Sequence, residues 1–589
     1  MLNLKTPGVY IQEISTLPAS VAPVATAIPA FVGYTQMREL NGETLADYHP
    51  VRITSLLEYE EIFGLPFDEN YNVELTDGSS GTEVSFHASY TPSKYLLHYA
   101  ISMYFANGGG PCYVISVGVY DYDALAATTI SKDALEAGIN AVAQEDEPTI
   151  LLVPEISQLT VAGERTALNN LMLAQCNRLQ DRFALMDVVP KVTPNASVKE
   201  DGDDFRKEVG SSYLKYGAAY YPPLNTIIPK FYQENTVNIT DSRSASVFDG
   251  ESLKTVQFGS GGAKAATATI TFNSRHKSVD EKTITIGGKA YVFGDGPSEI
   301  EVGDSPAATA EAFETFVNAN PNTDTPANAV TAVADGAEVT ITASTIGVDG
   351  NALTIIYDGS SGVKISGKTL EGGASGSLNP DLGLYNQIRT FLNKNTVTIP
   401  PSSSIAGIYA KTDRDRGVWK APANVSVNNV SGPSILVTAE EQGDLNVDAN
   451  TGKSINVIRN FTGKGSLVWG SRTLAGNDNE WRYVPVRRLF IFIEESIKKA
   501  TEPTVFEPND ANTWFKLKGL IENFLTSLWR EGALAGAAPQ DSFFVRIGLG
   551  ETMTPIDILE GRLNIEIGLA AVRPAEFIIL KFSHKLQES

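Results

Sequence analysis

A chain of 589 residues is too long for one hydrophobic core and predicts roughly three to four domains. Its 42% hydrophobic and 20% charged content is that of folded material, and its net charge of -23 argues against a nucleic-acid binder, which needs a basic face. No apolar run is long enough for a membrane-spanning helix, no secretion signal is visible at the start, and Cys112 and Cys176 read as buried thiols of a reducing compartment.

In chain order, residues 5–14 form a Pro-Gly turn followed by Val9, Tyr10, Ile11 and Glu13, a strand without a neighbour to pair with. Small and apolar residues from 21 lead into a buried strand at 28–34. A polar, acidic stretch runs to about residue 90, with a strand piece at 50–54 and a helix at 55–63 stopped by Gly64 and Pro66. Residues 93–105 carry helical apolar spacing and 112–119 read as a strand. Strand 149–153, helix 164–182 and strand 183–188 predict parallel strands joined by a helical crossover, and 218–223 read as a further strand at a domain edge.

Composition then changes. From about 255 to 376 the chain is rich in Ala, Thr, Gly and Asp, with short alternating runs punctuated by turns and one amphipathic helix at 307–319. This predicts an inserted β-rich domain with its own core, linked through Gly-rich flanks at 259–262 and 372–376. Mixed α/β character returns after 380, with a helix at 384–392, a strand at 396–399 and a loop at 400–404. Residues 514–529 are the strongest helix, capped by Asp510 or Asn512, and 561–570 alternate cleanly. Behind Pro574 the chain closes on the apolar run 575–584, with Phe577, Ile578, Ile579, Leu580 and Phe582.

Chain ends normally fray, and an unpaired apolar strand invites another chain. Two such ends point to strand addition between subunits, with joints at Pro18 and Pro574. The expected fold is a multi-domain α/β (α+β) core with strand-like ends and an inserted β-rich domain. Its parts are an arm at 1–22, a middle domain at 23–254 and 377–410, the insertion at 255–376, a C-terminal domain at 411–572 and a second arm at 573–589.

Catalytic constellations are missing from the sequence. His49, His87, His98, His276 and His584 are scattered, and none has metal-ligand spacing. Gly452-Lys453-Ser454 resembles the end of a phosphate loop, but Val447 stands where the earlier glycine is needed. In the charge-dense 413–416, interleaved arginines neutralise the carboxylates as a structural network rather than as acid/base machinery. The expectation is a protein that is no enzyme and uses no cofactor or metal.

Several segments resemble the contractile tail sheath family. They are residues 5–14 with 27–34, the block 412–424 that includes Asp413, Arg416, Gly417, Trp419 and Pro422, the segments 455–459, 468–473 and 483–488, and the ending from Phe506-Glu507-Pro508-Asn509 onward. The resemblance implies a subunit that polymerises helically in hexameric rings around an inner tube protein, meets baseplate and terminal cap proteins, and contracts to drive the tube through an envelope. It implies arms that add strands to neighbouring subunits, a C-terminal domain facing the tube and an insertion decorating the outside. No nucleic-acid contact or membrane insertion is implied, and assembly is expected in the bacterial cytoplasm before release as an extracellular particle or virion. Because one chain carries both start and end motifs, an extracellular contractile injection system or a phage tail fits. The wording of both ends looks closest to the former. Lys516, Lys518 and Arg530 are candidates for meeting an acidic tube surface, or are solvated helix charges. The alternative reading, a β-rich surface or adhesin-type protein, rests on the insertion alone.

Overall fold

The computed structural model describes residues 21–77, 84–122, 129–191, 197–243, 248–258, 260–261, 265–322, 326–359, 361–373, 377–378 and 380–580. Val9, Tyr10, Ile11, Glu13, Pro18 and Phe582 lie outside them.

A nine-stranded sheet organises the middle of the molecule, in the order Val425–Ser426, Gly465–Val468, Ile455–Phe461, Gly217–Tyr221, Phe183–Asp187, Ile150–Leu152, Pro29–Thr35, Cys112–Val119, Pro50–Ile53. Every pairing from Ile455–Phe461 to Cys112–Val119 is parallel, and antiparallel strands close both edges. Parallel strands are covered on both faces and read as continuous apolar runs. Ile150, Leu151 and Leu152 are accordingly all buried. The covering helices approach through glycines. A Cβ on Gly33 would meet Leu97 of the helix Leu97–Ala106, and one on Gly138 would meet Val32 and Val117 from the opposite face.

The crossover between 149 and 188 is as predicted, with helix Ala162–Leu179 joining two parallel strands. The strand expected at 218–223 forms as Gly217–Tyr221, and within the sheet it is interior, flanked on both sides. Its run of small and aromatic residues fits a strand buried on both faces as well as one at an edge. The helix expected from 93 starts at Leu97, where the buried Glu155 carboxylate accepts the Leu96 and Leu97 N–H groups at 2.9 and 3.3 Å. The expected loop at 400–404 is the start of helix Ser402–Arg416, because Asp187 accepts the Ser402 N–H at 2.8 Å.

Buried apolar residues fall into four clusters among the described residues. The largest surrounds the central sheet. A second joins Tyr71, Val73 and Leu75 to Val237, Ile239 and the helix Leu382–Leu392. A third belongs to the insertion, where helix Pro306–Ala319 packs Phe313 against Phe272 and Phe293. The chain enters and leaves this insertion through paired strands, Ser260 opposite Leu378 and Gly261 opposite Ser377.

The fourth cluster contains Leu489, Ile493, Leu517, Ile521, Phe524, Leu525 and Val545. Two expected boundaries shift here. Residues 425–468 belong to the central sheet rather than to the C-terminal part, because strand Ile455–Phe461 pairs with Gly217–Tyr221. Val21 and Val24, placed by sequence at the arm's end and the middle domain, pack with the fourth cluster.

Candidate assembly interface

Helix Ser402–Arg416 ends at Gly417, whose φ of +85° turns the chain so that its N–H returns to the Asp413 carbonyl at 2.9 Å. A Cβ at Gly417 would lie 2.4 Å from the Trp419 ring, so this position has room only for glycine. Asp413 accepts two hydrogen bonds from Arg488, at 2.9 and 2.5 Å. Arg488 also donates to the Thr26 carbonyl at 2.7 Å and lies 4.6 Å over the Tyr409 ring, whose hydroxyl meets that of Tyr220 at 2.7 Å. Side chains of the pair are 3% and 5% exposed. Such burial requires that both charges be matched.

One buried ion pair therefore ties helix Ser402–Arg416 to helix Val484–Thr501 and to the chain entering from the N-terminal side. The expected neutralisation of Asp413 by its sequence neighbours is corrected. Asp415 takes Arg414 at 3.3 Å, and Arg416 is exposed with no ion-pair partner among the described residues. Pro422 is buried just beyond. A cleft of about 550 Å³ opens over the junction, lined by Thr26, Asp413, Arg416, Val418, Trp419 and Phe492 among others.

Among the described residues, the last segment is anchored by Glu576. Residues 573–580 have no ladder partner among the described residues, and Pro574 is half-buried at their root. Phe577, Ile578, Ile579 and Leu580 are 70%, 80%, 80% and 71% exposed. Glu576, immediately before them, receives Arg472 at 2.9 and 2.6 Å, the Tyr483 hydroxyl at 3.0 Å and the Asn446 amide at 2.9 Å. Burial pushes the Glu576 carboxyl up, but these hydrogen bonds outweigh it and hold it below the usual range. Arg472 is itself fixed by Asn456 of the central sheet, whose side chain bonds both its N–H and its carbonyl, at 2.7 and 2.8 Å. Sequence reading missed Glu576 and Arg472. The available signal was a lone carboxylate beside an apolar run.

Close by in sequence, Phe543–Arg546 and Glu566–Leu569 form a two-stranded antiparallel ribbon on helix Ala511–Arg530. Neither outer edge is paired within the described residues. Asp510 caps that helix through the Thr513 N–H at 3.0 Å. Lys516 and Arg530 are exposed on it, whereas Lys518 is half-buried and 4.0 Å from Glu522. At about 100° per residue, Lys516 and Arg530 fall about 40° apart in projection and Lys518 about 160° from Lys516. The three therefore do not share one face.

No group of three or more His, Cys, Asp or Glu side chains suited to a metal occurs among the described residues. Lys453 of the phosphate-loop-like segment donates to the Arg206 carbonyl instead of facing a loop. Burial raises Glu155 to about 8 and Asp187 to about 7, yet both carboxylates accept backbone N–H groups inside the core. Their shifts are structural.

A family profile described as the phage tail sheath C-terminal domain matches residues 476–585. The anti-feeding prophage (AFP) helical sheath in its contracted state is 27% identical, with 99% of this chain and 100% of that one covered and a TM-score of 0.52. The PVC sheath complex of an extracellular contractile injection system, also contracted, is 25% identical over 99% of this chain and 98% of that one, with a TM-score of 0.52. The tail sheath protein of Vibrio phage KVP40 is 27% identical over 187 residues, and a putative prophage major tail sheath protein of Pseudomonas aeruginosa is 31% identical over 98. These alignments cover 31% and 17% of this chain and 26% and 25% of the two relatives, so the chain matches only about a quarter of their length.

Proposed function

We infer that this tail sheath protein is the repeating subunit of a contractile sheath: it polymerises helically around an inner tube and shortens to drive the tube through a target envelope. The likeness to a contracted helical sheath along nearly the whole chain carries the reading. The buried carboxylates are committed to backbone groups, which favours a mechanical role over a catalytic one.

The subunits link by exchanging strands. The exposed run 577–580 adds to a neighbour's ribbon Phe543–Arg546/Glu566–Leu569, and Val9, Tyr10, Ile11 and Glu13 add at the other edge. A lone two-stranded ribbon is marginal, and added strands complete it. Each backbone hydrogen bond so formed contributes about 0.5–1.5 kcal/mol, and each large apolar side chain buried about 1.5–3 kcal/mol. Pro18 and Pro574 are the joints that let linked subunits rotate. Lys516 and Arg530 face an acidic tube surface, and baseplate and cap proteins close the two ends. Energy for contraction comes from better subunit contacts in the contracted arrangement.

Removal of residues 575–589 tests this reading. The truncated chain keeps its circular dichroism and forms no tubes in negative-stain electron microscopy. Normal sheaths from that variant would refute the strand exchange.

A further inference from the structure

Helix Val484–Thr501 lies between two apolar clusters and sorts its side chains by helical spacing. Leu489, Ile493 and Ile497 pack with the C-terminal cluster, and Ile491 packs with the central one. The stripe Arg488, Ile491, Phe492 and Glu495 carries two charges into this seam. Arg488 is matched by Asp413. Glu495 is less completely served. Its side chain is 8% exposed, and Oε2 accepts Lys498 Nζ at 3.1 Å. Oε1 is buried and accepts no hydrogen bond among the described residues; Lys499 Nζ stands 3.5 Å away.

A cavity of about 20 Å³ lies against this stripe. Its wall includes Thr26 of the entering chain and Thr149, Asp181 and Phe183 at the starts of two parallel strands. A water needs about 10–15 Å³ of such space and two to four polar partners, so the cavity has room for one. Thr149 accepts the Ile28 N–H at 3.0 Å and keeps its hydroxyl proton to donate. Asp181 takes Arg182 at 2.7 and 3.0 Å, which leaves lone pairs on both of its oxygens. With Glu495 Oε1, the wall offers one donor and two carboxylate acceptors, the complement of a single water molecule.

We propose that this cavity is a binding site for one ordered water, which donates to Glu495 Oε1 and to Asp181 and accepts from the Thr149 hydroxyl. The water gives Oε1 the partner that a buried polar atom requires. A cation has no uncompensated charge to answer, because Arg182 matches Asp181, Lys498 and Lys499 match Glu495, and Arg488 is itself on the wall. An anion is repelled by the two carboxylates. The water couples helix Val484–Thr501 to the starts of strands Ile150–Leu152 and Phe183–Asp187. It lies among direct bonds across the same seam, from the Val24 N–H to Ser496 Oγ at 3.2 Å and from Arg488 to the Thr26 carbonyl at 2.7 Å. Thr26 and Phe492 also line the larger cleft, so exchange with solvent runs between them. The site is internal to one chain and holds whether or not the chain assembles as a sheath.

Crystals of the full chain, diffracting well enough to show ordered waters, test the site. The unaltered chain is expected to show one density peak within about 2.6–3.2 Å of Glu495 Oε1, Asp181 and the Thr149 hydroxyl. Glu495→Gln keeps an oxygen at this position and keeps the peak; Glu495→Met puts an apolar chain there and loses it. A map of the unaltered chain with no peak, and with Oε1 turned onto Lys499, overturns the site whether or not the variants fold. A peak that persists unchanged in Glu495→Met removes Glu495 as its anchor and overturns it as well. Soaking in a thallium(I) salt is expected to leave no anomalous signal in the cavity. A signal there identifies a monovalent cation and overturns the assignment to water.

Discussion

Arg472 and Glu576 join the central sheet to the segment 573–580 through paired hydrogen bonds of 2.9 and 2.6 Å. The exposed apolar residues Phe577, Ile578, Ile579 and Leu580 begin at the next position, so this pair fixes the point from which they run. Arg472 is 4% exposed at its side chain and Glu576 21%. The contact is a bidentate, partly buried one, the kind that fixes direction as well as energy.

Glu576→Gln keeps the size and loses the charge. The subunit is expected to unfold at nearly the parental temperature, while the concentration needed for tube formation rises about tenfold, a cost of about 1.4 kcal/mol. Light scattering against protein concentration measures it, and an unchanged threshold removes the clasp from the assembly mechanism.

Asp413→Asn leaves Arg488 buried without its counter-charge. Breaking one partner of a buried pair costs about 3–5 kcal/mol. Urea unfolding is expected to show the C-terminal cluster loosening before the central sheet, since Arg488 is the buried ion-pair link between helix Val484–Thr501 and helix Ser402–Arg416. A single transition at the parental midpoint contradicts this.

The raised carboxyls give a pH dependence with a definite sign. Burial takes Glu155 from an ordinary 4.5 to about 8 in the folded chain. Between these values the folded state holds the proton and the unfolded state does not, so this contribution is full below the lower value and is lost as pH rises through the upper. Asp187, raised from 3.8 to about 7, acts in the same direction. Glu155→Gln is expected to flatten stability measured by urea titration across this range; an unaltered slope assigns the dependence elsewhere.

The insertion enters and leaves through neighbouring residues, Gly261 opposite Ser377. Replacing residues 262–376 with a short Gly-Ser linker is expected to leave the remaining chain folded and able to form tubes of smaller outer diameter. Averaged electron micrographs report both. An unfolded product would show that the contacts of Glu371 with Asn235 and Lys254 stabilise the body.

Lys516→Glu with Arg530→Glu is expected to abolish co-sedimentation with the inner tube protein, while Lys518→Glu has little effect, because Lys518 lies on another side of the helix. Equal effects at all three positions count against one tube-facing surface.

Local signals in the sequence determined the parallel crossover at 149–188, the capped helix after Asp510, the separate insertion and the unpartnered apolar ending. Each depends on periodicity, turn residues or composition within a few tens of residues. Tertiary structure alone decided that Gly217–Tyr221 is interior, because its neighbour Ile455–Phe461 arrives more than two hundred residues later. It also decided that Asp413 pairs with Arg488 rather than with the arginines beside it, and that Glu576 meets Arg472. A charge's partner is set by which side chains the fold brings within hydrogen-bonding reach, and no local pattern encodes that distance. The run 577–580 was legible as apolar chain; the pair that anchors it at Glu576 was not.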